Sequence, residues 1–488
     1  MPEDAIDSFL KADTWERLRR VQDPRLEAKL RAYLGLRVFE EFQGLAARAR
    51  EHLGGRPPNL IFVPGVMGSL LLSQSLGGIW WIDVRTLKHL DDLRLSPDGL
   101  SDANPGHVIS PCATDTVYEP FLTALLERDD FAHVGFPYDW RKPLFASAQA
   151  LRDRIVDLHA ASGGDAIHLV AHSMGGLLVR MTLMEYGDEL WDKVGRIVFL
   201  ATPHYGSLAI GGYLKNHLWG FDLMALLGRY LGRETYRSLW GVLSLLPAPR
   251  GIYPGTRPTD QTQWSSGELD DPYAHPCCNF DLYKAEEWKL GLSSAETVQL
   301  QTVLNSAASF HQKLYKAHLS LSQDLRNRML VIAGIGYKTL FRLGYRNRLF
   351  GLWEHMEKVT SRVPGDPHRD GDGRVAVASA SLEEVTIRYV KGVHTGLPNI
   401  PSVYQEVFRW LQGKSLKLED SVEDALSLHL GPDDVGLAPN LDGTARSSAE
   451  EDDPGYLNFE APSPDQIQLL ESRLSAGEIP EFITTRLL

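Results

Sequence analysis

Cysteine is scarce here: Cys112, Cys277 and Cys278 are the only three in 488 residues. So low and odd a count argues against a disulfide scaffold and for a reducing compartment. The adjacent Cys277-Cys278 pair has no Cys/His spacing around it that would build a zinc site. Excess positive charge is also missing: 50 Lys and Arg stand against 63 Asp and Glu, a net charge of −13. That balance argues against a nucleic-acid partner and against simple electrostatic attraction to an anionic membrane. Much of the imbalance is local, because eleven acidic residues and one base, Arg446, fall between Glu419 and Asp453. No uncharged run has the length and apolarity of a membrane span, and the longest, Ile197–Leu214, is broken by Pro203 and glycines. Met1–Arg20 is rich in charge and has no apolar core of a secretory leader, so the expected location is cytoplasmic. No internal repeat is visible.

What the chain does have is a strand–turn–helix signal at Ile167-His168-Leu169-Val170-Ala171-His172-Ser173-Met174-Gly175-Gly176-Leu177-Leu178-Val179-Arg180. An apolar strand runs into a serine, and a helix leaves it with small residues close to the turn. This is the pattern of a nucleophile elbow, in which bulk two places either side of the serine would clash. Ala171 stands where glycine is usual, and Gly175 holds the second small position.

Chain order restricts the partners of Ser173, because the acid and then the histidine follow the serine in such folds. His394 closes the strand pattern Thr386–Val393 and precedes a helix beginning near Pro401, which places it on a loop facing the serine. His429 lies beyond that helix in the acidic tail and is the weaker candidate. Between serine and histidine, the loop Asp370-Gly371-Asp372-Gly373-Arg374-Val375 supplies the acid. Taken alone it could be a calcium loop or a plain turn; Asp372 is preferred over Asp370. Upstream, the apolar strand Leu60–Val63 runs into Pro64-Gly65-Val66-Met67-Gly68-Ser69. A backbone N–H there, at Val66 or its neighbour Met67, would join that of Met174 as an oxyanion hole.

These residues resemble the lecithin:cholesterol acyltransferase family, which includes lysosomal phospholipase A2 and phospholipid:diacylglycerol acyltransferases. The matching motifs occur in order: Val63–Ser69, Trp81-Ile82-Asp83, Pro137-Tyr138-Asp139-Trp140-Arg141, Ala171–Gly176, Ala333–Gly336 with Thr339, Asp370–Val375, and His394. The resemblance runs from Asn59 to Leu411 and implies an acyl-enzyme mechanism on lipid esters, with Ser173, Asp372 and His394 as the triad. The disulfides of the family's exported animal members have no counterparts here. The family also implies lipid contact from the aromatic loop after Gly77-Gly78. Trp80 and Trp81 are therefore candidate substrate contacts, with Trp80 the more exposed, and Met67 joins them. In the loop Ala201–Ser207, His204 and Tyr205 are read as pocket wall, since His204 precedes the acid and cannot be the base in this order. Asp139 and Arg141 are read as a structural ion pair.

The expected architecture is an α/β-hydrolase fold, a mostly parallel central sheet flanked by helices, with an inserted helical cap. Residues 1–56 show apolar spacing at Leu10, Trp15, Leu18 and Val21, then Leu26, Leu30, Tyr33 and Leu34, which predicts a helical pair packed on the core. Residues 57–414 make the catalytic domain, with the cap at about 207–328, where apolar helices replace the α/β rhythm. An acidic linker, 415–455, follows. A last helix is signalled within 456–488 by Ser463, Pro464, Gln466 and Gly477. The expected activity is serine-dependent acyl hydrolysis or O-acyl transfer on a phospholipid or acylglycerol. Water or an alcohol would be the acceptor, no metal or organic cofactor would be needed, and lipid aggregates or a membrane surface would be met peripherally. Three alternatives stand beside it: a lipase effector regulated by a protein partner at the terminal helices, a small-ester carboxylesterase, and an inactive binding protein on the same fold.

Overall fold

The computed structural model describes residues 5–48, 57–81, 84–216, 231–256, 275–277, 279–348, 353–361 and 366–427. The C-terminal helix signalled near Ser463, most of the acidic linker, and parts of the expected cap (217–230 and 257–274) lie outside the described residues.

The prefix is four short helices rather than a pair: α1 (Ala5–Lys11), α2 (Thr14–Val21), α3 (Glu27–Leu34) and α4 (Leu36–Arg48). Asp13 caps α2 through the Glu16 N–H, and Gly35 separates α3 from α4 in a left-handed conformation. Their apolar faces, including Phe9, Leu18, Leu30, Phe39 and Phe42, form a small core with Leu70, Ile79 and Ala113. Those three residues belong to an antiparallel sheet of order β3–β2–β4, built from β2 (Ser69–Ser73), β3 (Ile79–Trp81) and β4 (Ile109–Thr114). The junction is fastened by a buried ion pair, Arg17 to Glu119 at 2.5 Å. The same guanidinium donates to the carbonyl of Thr114 at 2.7 Å.

The central sheet holds β1 (Leu60–Val63), β5 (His133–Gly135), β6 (Ile167–His172), β7 (Val194–Leu200), β8 (Met329–Ile335) and β12 (Thr386–Lys391), in the order β12–β8–β7–β6–β1–β5. Every pairing in it is parallel. The inner strands read as near-continuous apolar runs because helices cover such sheets on both faces; Leu60 to Val63 and Met329 to Ile335 are buried throughout. The helices of the domain include α5 (Glu119–Leu126), α6 (Phe145–Ala161), α7 (Met174–Leu190), α8 (Leu208–Asn216), α9 (Ser294–Ser320) and α10 (Pro401–Leu411). Helix α9 begins with a capping box formed by Ser293 and Glu296 and packs on α7.

One element was not anticipated. After β8 the chain makes a long antiparallel hairpin, β9 (Tyr337–Arg348) with β10 (Trp353–Ser361), before β11 (Asp370–Gly371) returns to pair with the start of β9. The alternation of Tyr337, Thr339 and Phe341 with Lys338, Leu340 and Arg342 carried a partial signal for it.

Parallel register brings the carboxyl ends of the inner strands to one rim: Val63 lies opposite Ala171, His172 opposite Leu200, and Leu200 opposite Ile332. Loops leaving this rim carry Gly65, Ser173, Ala201, Asp372 and His394. Ligands of open α/β sheets bind at such an edge.

Candidate active site

Ser173 joins β6 to α7 with φ 50° and ψ −126°, a conformation that costs a non-glycine residue energy and is kept where the surroundings enforce it. Its N–H donates to the Leu200 carbonyl of β7 at 2.9 Å, which anchors the turn to the sheet. The elbow's small residues are needed for close approach. A Cβ on Gly175 would strike the carbonyl oxygens of Val63 and Pro64, and one on Gly176 would strike the Thr202 side chain.

The three side chains selected from the sequence form one hydrogen-bonded line. His394 Nε2 lies 2.9 Å from Ser173 Oγ. Its Nδ1 lies 2.7 Å from Asp372 Oδ2. The other carboxylate oxygen, Oδ1, accepts from the N–H groups of Arg374 at 2.9 Å and Val375 at 2.7 Å. Those two amides hold the carboxylate in place. All three residues are buried. Asp370 sits elsewhere, with Oδ1 accepting from the N–H groups of Gly336 and Gly371, both at 2.8 Å. It fastens the crossing of β8 and β11 and does not reach the histidine.

The Gly65 loop stands against the elbow: a Cβ at Gly65 would lie 2.9 Å from that of Ser173. Met67 has φ 63°, a left-handed conformation that turns the loop. Met174 opens α7, so its N–H has no intrahelical acceptor. Val66, Met67, Ser173 and His394 line a narrow cavity of about 60 Å³ whose exposed lining is mostly apolar.

The remaining sequence-chosen contacts divide. Met67 is in the cavity wall, but Trp80 and Trp81 are not. Trp80 is 1 % exposed, stacked on the His89 ring at 4.7 Å and edge-on to His107. The expectation of an exposed Trp80 is therefore corrected: β3 lies at the edge of its sheet, yet both of its tryptophans are covered by neighbouring segments. Trp81 donates its indole N–H to the Met67 carbonyl at 3.0 Å and packs edge-on to Trp140, so it braces the loop from behind. Trp140 in turn donates to the Ser69 carbonyl. Arg141 is wholly buried between Asp139 and Asp102, each 2.7 Å away, as a structural pair requires.

His204 and Tyr205 are also corrected. His204 is buried against Phe199 and Arg180, and burial beside that guanidinium holds its imidazole well below the usual pKa. Tyr205 is buried and does not reach the cavity. From this loop it is Pro203 and Ser207 that face the cavity. A β-turn points neighbouring side chains in different directions, and sequence alone did not show which ones face in. Sequence reasoning also missed Ile210 and Tyr213, which line the cavity together with Ser207. The i, i+3 spacing of Ile210 and Tyr213 along α8 was the available signal. Arg374, one residue beyond Gly373, is a further wall residue, and its carbonyl accepts from Ser207 Oγ at 2.6 Å.

A parallel sheet with a strained serine between strand and helix and an acid and a histidine on later loops is the architecture of the α/β-hydrolase fold. Comparison with known proteins bears out the family resemblance: residues 126–325 match the model for lecithin:cholesterol acyltransferase. Among curated relatives, Phospholipase A(1) LCAT3 of Arabidopsis thaliana is 23% identical over 301 residues, covering 57% of this chain and 65% of that protein. Lecithin-cholesterol acyltransferase-like 4, also of Arabidopsis thaliana, is 24% identical over 303 residues, covering 57% of this chain and 55% of that protein. The aligned part thus spans less than two thirds of either relative. Among solved structures, the Tle4-Tli4 complex matches 72% of this chain and 96% of the other at 14% identity and a TM-score of 0.43. The mature lipase BlEst2 of Bacillus licheniformis matches 74% of this chain and 94% of the other at 13% identity and a TM-score of 0.34.

Proposed function

We propose that this chain is a serine-dependent lipid acyl hydrolase or O-acyltransferase, and that Ser173, His394 and Asp372 carry the chemistry. The single observation supporting it most is His394 held between the other two at 2.9 Å and 2.7 Å. In this reading His394 Nε2 takes the Ser173 proton as Oγ attacks the ester carbonyl. Asp372 keeps the Nδ1–H tautomer and stabilises the imidazolium that forms. The N–H groups of Val66 and Met174 receive the oxyanion. The imidazolium then returns its proton to the departing alcohol, leaving an acyl group on Ser173, and water or a second hydroxyl takes that group with His394 as base again.

The lipid reading draws on the family match, on the name of the phospholipase relative, and on a mostly apolar cavity. Residues 57–414 would be the catalytic unit with its cap at about 207–328. Residues 1–56 and 456–488 would be extensions, the latter a docking segment for a protein partner. Among the described residues no helix is long and apolar enough to cross a membrane. A cytoplasmic enzyme that meets lipid aggregates peripherally is the reading that the low cysteine count supports.

The test is labelling with a fluorophosphonate probe, followed by a panel of phospholipids and acylglycerols with and without alcohol acceptors. Ser173→Ala should abolish both labelling and ester cleavage while the far-UV spectrum is unchanged, since losing a triad nucleophile costs on the order of 10⁴-fold or more. Residual cleavage above about one per cent would exclude Ser173 as the nucleophile.

A further inference from the structure

His172, the residue before the elbow serine, lies wholly buried beneath the site and has no place in the chemistry above. Its two ring nitrogens are both engaged. Nε2 is 3.0 Å from the backbone carbonyl oxygen of His394, and Nδ1 is 2.9 Å from the hydroxyl of Tyr118. That hydroxyl is itself 3.0 Å from the N–H of Gly65.

The direction of every bond in this chain follows from its two ends. A carbonyl oxygen can only accept, so His172 Nε2 carries the proton. In a neutral ring Nδ1 then accepts, and Tyr118 must donate to it. The Tyr118 oxygen is left to accept from Gly65, whose amide can only donate. The line therefore runs Gly65 N–H to Tyr118, Tyr118 O–H to His172, and His172 N–H to the main chain of His394. It needs a neutral imidazole, and burial holds the pKa of His172 well below the usual histidine value. Neutrality has a second use, since the ring centre of His172 lies 5.0 Å from that of His394. A positive charge there would oppose the imidazolium that His394 becomes.

The ends of the line are the two limbs that flank the serine. Gly65 precedes Val66, whose amide faces the reacting carbonyl in the proposed mechanism, and His394 bears the base. Gly65 fits only without a side chain: a Cβ there would come within 3.1 Å of His172 Nδ1 and 3.4 Å of the Tyr118 hydroxyl. Asn399 makes a second tie between the same regions. It donates to the Val117 carbonyl at 2.7 Å and accepts from the Phe121 N–H at 3.3 Å, which spans the turn bearing Tyr118.

We propose that Tyr118 and His172 are positioning residues that set the oxyanion loop at Gly65–Val66 and the base loop at His394 in one register around Ser173. The inference rests on the acyl-transfer reading. Reacting groups tolerate only small misplacement, and about 1 Å is enough to lose on the order of a hundredfold in rate.

The experiment compares wild type with Tyr118→Phe, His172→Gln and His172→Leu. The quantities measured are kcat per titrated active site, KM for a long-chain p-nitrophenyl ester, the rate of fluorophosphonate inactivation, and Tm. Tyr118→Phe keeps the ring that packs edge-on to Phe62 and removes only the hydroxyl. Its kcat should fall on the order of ten- to a hundredfold, with KM within about twofold of wild type and inactivation slowed in step. Gln can still present an N–H to the His394 carbonyl and Leu cannot, so His172→Gln should retain more kcat than His172→Leu. If Tyr118→Phe and His172→Leu keep their per-site kcat and lose only Tm or active-site titre, the network is merely structural and the proposal fails. Equal kcat in the Gln and Leu variants overturns the role given to the His172–His394 bond. A folded wild type that neither cleaves an ester nor reacts with the probe refutes the acyl-transfer reading itself.

Discussion

Asp372 and His394 are joined twice. The side chains meet at 2.7 Å, and the N–H of His394 donates to the carbonyl of Asp372 at 3.0 Å. The two residues proposed as acid and base thus share a main-chain contact that sets their distance before either side chain turns. Asp370, two residues earlier, has neither link.

The two aspartates should therefore separate cleanly under a minimal change. In Asp372→Asn the amides of Arg374 and Val375 hold the remaining oxygen, so the new NH2 group is turned toward His394 Nδ1. The ring would then carry its proton on Nε2 and be unable to accept from Ser173, which costs on the order of 10⁴-fold in kcat. Asp370→Asn keeps an oxygen for Gly336 and Gly371 and should stay within about tenfold of wild type. Ester hydrolysis of the two purified variants decides between them, and equal losses would overturn the assignment.

Substrate preference should follow apolar burial. Each methylene removed from water is worth ~0.8 kcal/mol, and a chain of net charge −13 does not favour charge-steered binding to an anionic lipid surface. Long-chain esters should outpace acetyl and butyryl esters, aggregated substrate should outpace monomeric, and high salt should change the rates little. A chain-length series in low and high salt measures this. A maximum at two to four carbons would make the protein a small-ester hydrolase.

The N-terminal helices should prove integral to stability. Arg17 and Glu119 are 1 % and 0 % exposed, and removing one member leaves the other charge buried and unpaired. Arg17→Met should cost about 3–5 kcal/mol in urea unfolding, and Arg17→Met with Glu119→Gln should recover part of it. A single-variant loss below about 1 kcal/mol would mean that the helices only rest on the core.

Acid should loosen the region that bears the cavity. His275 and His311 donate to the carbonyls of Ala248 and Leu246, and burial draws both imidazoles from 6.5 down to about 4. Their folded pKa is depressed, so the unfolded chain binds more protons between pH 6.5 and 4. The stability they contribute is complete above about 6.5 and is lost as the pH falls toward 4. Each adds a slope of at most about 1.4 kcal/mol per pH unit. Asp115 opposes them, because burial raises it from 3.8 to about 6 and its share is lost as the pH rises through that value. His311→Gln keeps a donor for Leu246 without a titrating ring. Its unfolding midpoint should fall less steeply from pH 7 to 5 than that of wild type, and an unchanged slope would count against the assignment.

What the sequence settled by itself was local and ordered. An apolar strand ending in Ala171-His172-Ser173-Met174-Gly175-Gly176 can make little but a tight strand–turn–helix, because the small residues at 171, 175 and 176 serve a clash-free turn. Chain order then limited which acid and which histidine could follow. A mostly parallel central sheet was legible too, since strands covered on both faces read as continuous apolar runs; that every pairing in it is parallel came from the structure. Whatever depended on direction across the chain was decided only by tertiary structure. Trp80 and Trp81 have a composition equally suited to a lipid–water boundary and to a core, and packing beneath His89 and behind Met67 made them core. His204 and Tyr205 sit in a turn where one residue's difference in direction separates cavity wall from interior, and Pro203 and Ser207 took the wall. The line from Gly65 through Tyr118 and His172 to His394 joins residues up to 329 positions apart in the numbering of the chain. No local spacing encodes it, because hydrogen-bond partners are chosen by where the sheet brings the strand ends, not by their separation in sequence.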